Sequence, residues 1–406
     1  MKSFQIPQFY RSPIISRIKE ARKKQDSFKK DFSPTLLDFG PVRFFIARHF
    51  GFCFGVENAI DISYKAIDEN PGKRIFLISQ MIHNPDVNND LQRRGIRFIM
   101  DTEGKMLMEW KELSPGDIVI VPAFGTSLEV ENKIKATGIT TIQYNTTCPF
   151  VERVWKKAEK LGHDKFTVII HGKPKHEETR ATFSHSKENA PSLVISDLDE
   201  AKILGKFILG EISKDNFDSW FLGRYSTGFS PLIHLQRLGV VNQTTMLAVK
   251  TQEISNYIRN IMILKYGEEK ITSHFADTRD TLCYATNDNQ DAVYALLGQP
   301  ADLALVVGGY NSSNTGHLAE LCEVKLTTYY IASAQEIVSC HSIQHFNTRE
   351  KKLVMTESFI PPKQPVDILV TSGASCPDAT VEEILQKIIG FFPTARSNRD
   401  VLSELI

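Results

Sequence analysis

The sequence lacks a net charge: 48 basic side chains stand against 48 acidic ones in 406 residues. A balanced chain makes no global field for nucleic acid or an anionic membrane, so an anionic ligand has to be held by local groups. Long apolar runs are also missing. No stretch approaches the roughly 20 apolar residues needed to cross a bilayer, and the first residues do not have the apolar core of a secretory signal. A soluble, cytoplasmic protein with no nucleic-acid or membrane partner is therefore expected. Cysteine is sparse, with six residues scattered without the short spacing of a secreted disulfide scaffold. In a reducing compartment that favours buried thiols, catalysis or metal ligation. No two cysteines form a CxxC pair, which disfavours a zinc ribbon. No GxGxxG follows a strand-like run, and GGYNSSNTG is not followed by GK and a hydroxyl residue, so neither a dinucleotide fingerprint nor a Walker loop is present. His171 and His176 are five apart, unlike the i, i+4 pair of a zinc helix, and are expected in a loop.

What is present is enough apolar material, 42% of the chain, to bury a sizeable core in more than one domain. Residues 1–41 make a basic arm dominated by Arg17, Lys19, Arg22, Lys23, Lys24, Lys29 and Lys30. Glu20, Asp26, Asp31 and Asp38 among them argue against a transit peptide, and a helical arm packed on, or frayed from, the first domain is expected. From Val42 onward short apolar runs alternate with amphipathic stretches: RFFIAR, RIFLIS, DIVIVPA, TVIIHG, LALVVGG and DILVTSG. Strands alternating with helices predict parallel-type sheets covered by helices, an α/β fold, with ligands beyond the carboxyl ends of the strands. The expected divisions are α/β domains over residues 42–147, 148–282 and 283–392, followed by a tail at 393–406. An aromatic, glycine-rich insertion at about 206–237 carries no evident chemistry.

One pattern recurs three times: Cys53 in HFGFCFGVENAI, Cys148 in YNTTCPFVERVW and Cys283 in DTLCYATNDNQDAV, each before a stretch of helical periodicity. A thiol at a helix start sits near unpaired N–H groups and the positive end of the macrodipole, which favours the metal-binding thiolate. The repetition suggests three related α/β units. Three thiolates on a cubane cluster would leave one iron open to substrate. Cys322, in the helical context LAELCEVKL, is read as core packing, as are Cys340 and Cys376.

A polar set occupies the loops after the strand-like runs. It comprises His83 in QMIHNPDVNNDL, His176 and Glu178 in HGKPKHEETRAT, Gln243, Thr244 and Thr245 in VVNQTTMLAV, Ser312, Ser313 and Asn314 in GGYNSSNTGHL, and Ser375 in TSGASCPD. Hydroxyls, amides and imidazoles at strand ends, backed by glycine turns, suit a phosphate or diphosphate. Taken singly each could be a cap or turn residue, and Ser312 to Asn314 could simply start a helix.

With the IHNPDV, HEET, NQTT, NSSN and SGAS segments added to the cysteine contexts, the chain resembles the 4-hydroxy-3-methylbut-2-enyl diphosphate reductase (IspH/LytB) family from about Val42 to Phe392. The resemblance implies a trefoil of three α/β domains around a central 4Fe-4S cluster, held by Cys53, Cys148 and Cys283 with one iron open to substrate. It implies reductive dehydroxylation of an allylic diphosphate to isopentenyl and dimethylallyl diphosphates, the final step of the non-mevalonate isoprenoid route, with ferredoxin or flavodoxin as electron donor. His83, His176, Thr244, Ser312, Ser313, Asn314 and Ser375 would bind the substrate; Glu178, with Thr244 in its proton network, would protonate the departing hydroxyl. One position departs from many bacterial members, which carry histidine where Phe124 stands; the AFG and HGKPKHEET segments are similar to the plant and cyanobacterial branch. A non-catalytic iron–sulfur carrier or sensor is the rival reading, and it leaves the polar loops unexplained.

Overall fold

The computed structural model describes residues 4–140, 143–278 and 281–405. Its strands are β1 (Thr35–Asp38), β2 (Val42–Ile46), β3 (Ile75–Leu77), β4 (Ile96–Phe98), β5 (Ile118–Ile120), β6 (Thr167–His171), β7 (Ser192–Ile195), β8 (Leu238–Asn242), β9 (Phe275–Ala276), β10 (Leu303–Val307), β11 (Thr328–Ile331), β12 (Ser342–Asn347), β13 (Lys352–Glu357) and β14 (Val366–Ser372). All six of the apolar runs form strands. The chain divides into two compact units, one from Met1–Glu57, His83–Asp86 and Tyr284–Ile406, the other from Asn58–Ile82 and Val87–Cys283.

The first unit is built on a sheet of order β1-β2-β14-β10-β11, parallel throughout except that β1 runs antiparallel to β2. Every residue of β10 and β14 is buried, as expected of central parallel strands covered on both faces. One core packs around them, including Phe44, Ile46, Leu305, Val307, Leu318, Ile368 and Ile384. The basic arm is part of this core. Its helix Pro13–Gln25 has proline at the first position and Ser12 as cap, whose hydroxyl accepts the Ile15 N–H at 2.8 Å. Ile14, Ile15 and Ile18 are buried, and each fully buried isoleucine contributes about 2 kcal/mol, so the arm is packed rather than frayed. Residues 35–38 differ from the expected helical arm. They form the edge strand β1, joined to β2 by a tight turn in which the Gly40 N–H donates to Asp38 at 2.8 Å and Gly40 has φ of 88°. β12 and β13 make a separate antiparallel hairpin.

The second unit holds two parallel sheets, β4-β3-β5 and β7-β6-β8-β9. Phe76, Ile78, Val119 and Ile134 pack the first; Ile169, Leu193, Phe207 and Ile258 pack one face of the second, and Val154, Ala158, Val168 and Val241 the other. Residues 206–237 are not a detached insertion. Phe217, Phe221 and Leu235 are buried in the core, and the Val194 and Ser226 N–H groups donate to Arg224 and Ser192 carbonyls at 2.8 and 2.9 Å, covering the edge of β7. His171, expected in a loop, is instead the last residue of β6, buried and paired through Nδ1 with the Thr251 hydroxyl at 3.2 Å. Among the described residues no helix is long and apolar enough to cross a membrane.

Candidate active site

The polar residues singled out above follow the carboxyl ends of parallel strands, where loops rather than ladder hydrogen bonds dictate the backbone, whereas Cys148 comes after the helix Leu128–Ala136 and the isolated bridge of Asn145 to Val121. Each cysteine immediately precedes a helix: Cys53 before Phe54–Glu69, Cys148 before Pro149–His163, and Cys283 before Tyr284–Leu296. Their backbones are tied to neighbouring loops, Cys148 N–H to Ala123 O at 2.9 Å, Cys53 N–H to Ala374 O at 3.2 Å and Cys283 N–H to Thr244 O at 3.2 Å. None of the six is in a disulfide.

In the second unit Cys148, Cys283, His176, Glu178 and Thr244 belong together. The helix start does not make Cys148 a ready thiolate, contrary to expectation. Burial pushes its thiol up to about 12, and Cys283 and Glu178 push it further, against the lowering effect of the Phe150 and Val151 N–H groups. Cys283 and Glu178 thus both oppose ionisation of Cys148, a repulsion that a nearby cationic group would relieve, although no group of three or more His, Cys, Asp or Glu among the described residues is placed to hold a metal ion. Glu178 lies in the first turn of the helix Glu177–Lys187 and is 1% exposed. The Thr244 N–H donates to one carboxylate oxygen at 2.5 Å and the Thr244 hydroxyl to the other at 3.0 Å. Burial outweighs both bonds and raises the Glu178 pKa to about 7, so the group can hold a proton near neutrality and give it up. His176 caps the same helix. Its Nδ1 accepts the Glu178 N–H at 3.2 Å, which leaves Nε2 as the protonated, donating nitrogen. The Phe124 ring packs edge-on to His176, centroids 5.6 Å apart and planes at 85°. Gln243 is scaffolding. Its side-chain oxygen accepts from the Thr179 hydroxyl and the Lys173 N–H at 3.1 Å each, joining the segments after β6 and β8.

In the first unit His83, Ser312, Ser313, Asn314 and Ser375 are all buried. Asn314 is fixed in orientation, because its oxygen accepts the Ala374 N–H at 2.9 Å and the Asn289 amide at 3.4 Å. Its Nδ2 is buried and has no partner among the described residues. An unsatisfied buried donor is costly, which makes this amide a fit for an anionic oxygen. Ser312 does cap the helix Ser313–Glu323, accepting from the Thr315 N–H at 3.2 Å and the Thr315 hydroxyl at 2.9 Å. Two accepted bonds leave its own O–H able to donate. Ser375 donates to the His83 carbonyl at 3.1 Å, so it holds the His83 loop. That carbonyl also explains Gly309, where a β-carbon would stand 2.5 Å from it.

Reasoning from sequence missed two partners in these sets. Asn289 orients Asn314 from a different helix, and Glu177, buried beside Glu178, is hydrogen-bonded to Ser79. The HEET segment signals the second carboxyl; nothing local signals Asn289. Cys322 and Cys376 are buried as expected of packing residues, but Cys340 is half-exposed.

Parallel sheets covered by helices, with buried polar residues after their strands and a neutral-range acid at Glu178, define the chain as an α/β protein. The chain belongs to the LytB family, whose model, described as LytB protein, matches residues 44–389. The chain is 38% identical over 382 residues to the 4-hydroxy-3-methylbut-2-enyl diphosphate reductase of Prochlorococcus marinus (strain MIT 9515), covering 94% of this chain and 90% of that protein. It is 39% identical over 354 residues to the reductase of the same name from Synechococcus sp. (strain CC9311), covering 87% and 86%. Among solved structures, the E-1-hydroxy-2-methyl-but-2-enyl-4-diphosphate reductase from Plasmodium falciparum shares the fold with a TM-score of 0.61 at 18% identity, over 86% of this chain and 89% of that one. Another solved reductase, called the terminal enzyme of the non-mevalonate pathway, aligns with a TM-score of 0.51 at 23% identity, over 85% and 98%.

Proposed function

We propose that this chain reduces (E)-4-hydroxy-3-methylbut-2-enyl diphosphate to isopentenyl and dimethylallyl diphosphates. The observation that carries the reading is Glu178: a carboxyl sealed from solvent, held through both oxygens by Thr244, with a pKa raised to about 7 and Cys148 within its field. Removing a hydroxyl from carbon needs an acid at the oxygen and two electrons. The carbon–oxygen bond breaks, the hydroxyl departs as water with a proton from Glu178, and two electrons with one further proton complete the product. The Thr244 hydroxyl, able to accept and donate at once, keeps the carboxyl aimed and can pass the proton on.

As the resemblance implies, Cys53, Cys148 and Cys283 would hold one 4Fe-4S cluster. When bound, the cluster supplies a Lewis-acidic iron without a protein ligand and a path for single electrons. His83, His176, Thr244, Ser312, Ser313, Asn314 and Ser375 would bind the substrate, with the Asn314 Nδ2 and His176 Nε2 hydrogens directed to diphosphate oxygens. Ser375 would act chiefly by fixing His83. Electrons would come from an external carrier of the ferredoxin or flavodoxin kind, in a reducing, cytoplasmic setting that keeps the thiols available. Phe124 cannot donate a hydrogen bond; its ring instead fixes the plane of His176.

Glu178→Gln tests the reading. The variant is expected to keep its iron and its affinity for substrate, and to lose about 100-fold or more in turnover, the usual range for removing a general acid. Turnover at the wild-type rate would refute the role.

A further inference from the structure

We infer that the N-terminal arm is a positioning clamp for the loop that carries Cys53, with Lys19 as its central residue; this rests on the reading of Cys53 as a cluster ligand. The arm lies outside the matched family region, which starts at residue 44. All the contacts that follow lie within the first unit. The Phe4 and Phe54 rings meet edge to face with centroids 5.1 Å apart, and Tyr10 meets Phe52 in the same way at 5.9 Å. Phe32 lies 5.3 Å from the His49 ring, and Arg48 donates to the Asp26 carbonyl at 3.4 Å. The Lys19 ammonium stands 4.8 Å over the Phe50 ring. Residues on both sides of Cys53 are thus gripped by the arm.

Lys19 also reaches the loop that binds the Cys53 backbone. Its ammonium bonds both oxygens of Asp378 at 2.7 and 2.9 Å. Asp378 begins the helix Asp378–Ile389, shortly after Ala374, the acceptor of the Cys53 N–H. Gly51 turns directly against this ion pair. It has φ of 78°, and a β-carbon there would stand 2.5 Å from Asp378 Oδ1 and 3.0 Å from Lys19 Nζ. The pair therefore sets how close the Cys53 loop lies to the helix start. Its side chains are 36% and 18% exposed, so it adds no more than about 1 kcal/mol to stability. The arm is anchored independently by Ile15 and Ile18 in the core and by the Ser12 hydroxyl on Glu382. What Lys19 contributes is geometry rather than folding energy.

The test uses the full chain, purified without oxygen and loaded with iron and sulfide. Lys19→Met keeps the aliphatic stem and is expected to melt like wild type. It should release iron to a chelator about tenfold faster, the range seen when groups supporting a metal ligand are removed. The EPR spectrum of its reduced cluster should differ from that of wild type. Lys19→Arg should restore both properties, and Asp378→Asn should reproduce the Lys19→Met pattern if that variant folds poorly. Wild-type iron release and an unchanged spectrum in Lys19→Met and Asp378→Asn would overturn the clamp. Cys53→Ser separates the two readings. If it loses iron while the Lys19 and Asp378 variants behave as wild type, the clamp alone fails; if it holds iron as firmly as wild type, the ligand reading fails and the clamp with it.

Discussion

A carboxyl keeps its proton to near neutrality only where water cannot stabilise the anion, and Glu178 is in such a place. In the proposed reaction its acid form is the working form, so the sign of the pH response follows directly. Turnover should be flat below about 7, the Glu178 pKa, and fall as pH rises through it, approaching tenfold per unit. A kcat–pH profile with a saturating reductant checks this, and the falling limb should vanish in Glu178→Gln. The acid role proposed for Glu178 came from the resemblance of HEET to the reductase family, not from the residue types alone. Its two bonds from Thr244 were only half legible, since the N–H partner depends on how two loops meet. The Cys148 thiol illustrates the limit: helix position is written in the sequence, but the burial that overrides it is not. The Phe124–His176 contact is similarly invisible, because the residues lie 52 positions apart and on different strand-end loops.

At the scale of elements, glycines show which loops admit no adjustment. Gly309→Ala would drive a β-carbon against the His83 carbonyl and disturb the bond it accepts from Ser375. The variant should lose about 1–3 kcal/mol of stability in a denaturant melt, as for other overpacked sites. Its KM should also rise more than its kcat falls, since a positioning loop for ligand is what moves. The six apolar runs were legible as strands because β-branched runs bounded by Gly, Pro or polar turns leave little choice. β1 was not, because four residues, TLLD, in a charged arm carry no period that separates strand from helix. The hairpin β12–β13 was also missed: its residues are mostly half-exposed or exposed, so the burial alternation is weak. Residues 206–237 were unreadable as an edge cover because their aromatic residues are core only once β7 is in place.

At the scale of the whole molecule, strand order departs from chain order. β1 and β2 from the start of the chain join β14, β10 and β11 from its end, so contiguous divisions at 147 and 282 do not follow the sheets. Hydrophobic periodicity identifies strands but says nothing of which neighbour each chooses. A consequence is that the arm completes the first unit. Deleting residues 4–25 would remove Ile14, Ile15 and Ile18 from the core, at about 2 kcal/mol for each fully buried side chain. Chemical denaturation of the truncated chain should show a midpoint well below that of the full chain, and an unchanged midpoint would contradict this packing. The activity proposed for the assembled protein is cleavage of an allylic carbon–oxygen bond. Its most direct test is an oxygen-free assay of iron-loaded protein with (E)-4-hydroxy-3-methylbut-2-enyl diphosphate and a chemical one-electron reductant. Consumption of two electrons per substrate is expected, with isopentenyl and dimethylallyl diphosphates as products. A protein that holds its iron, accepts electrons and leaves the substrate intact would contradict it.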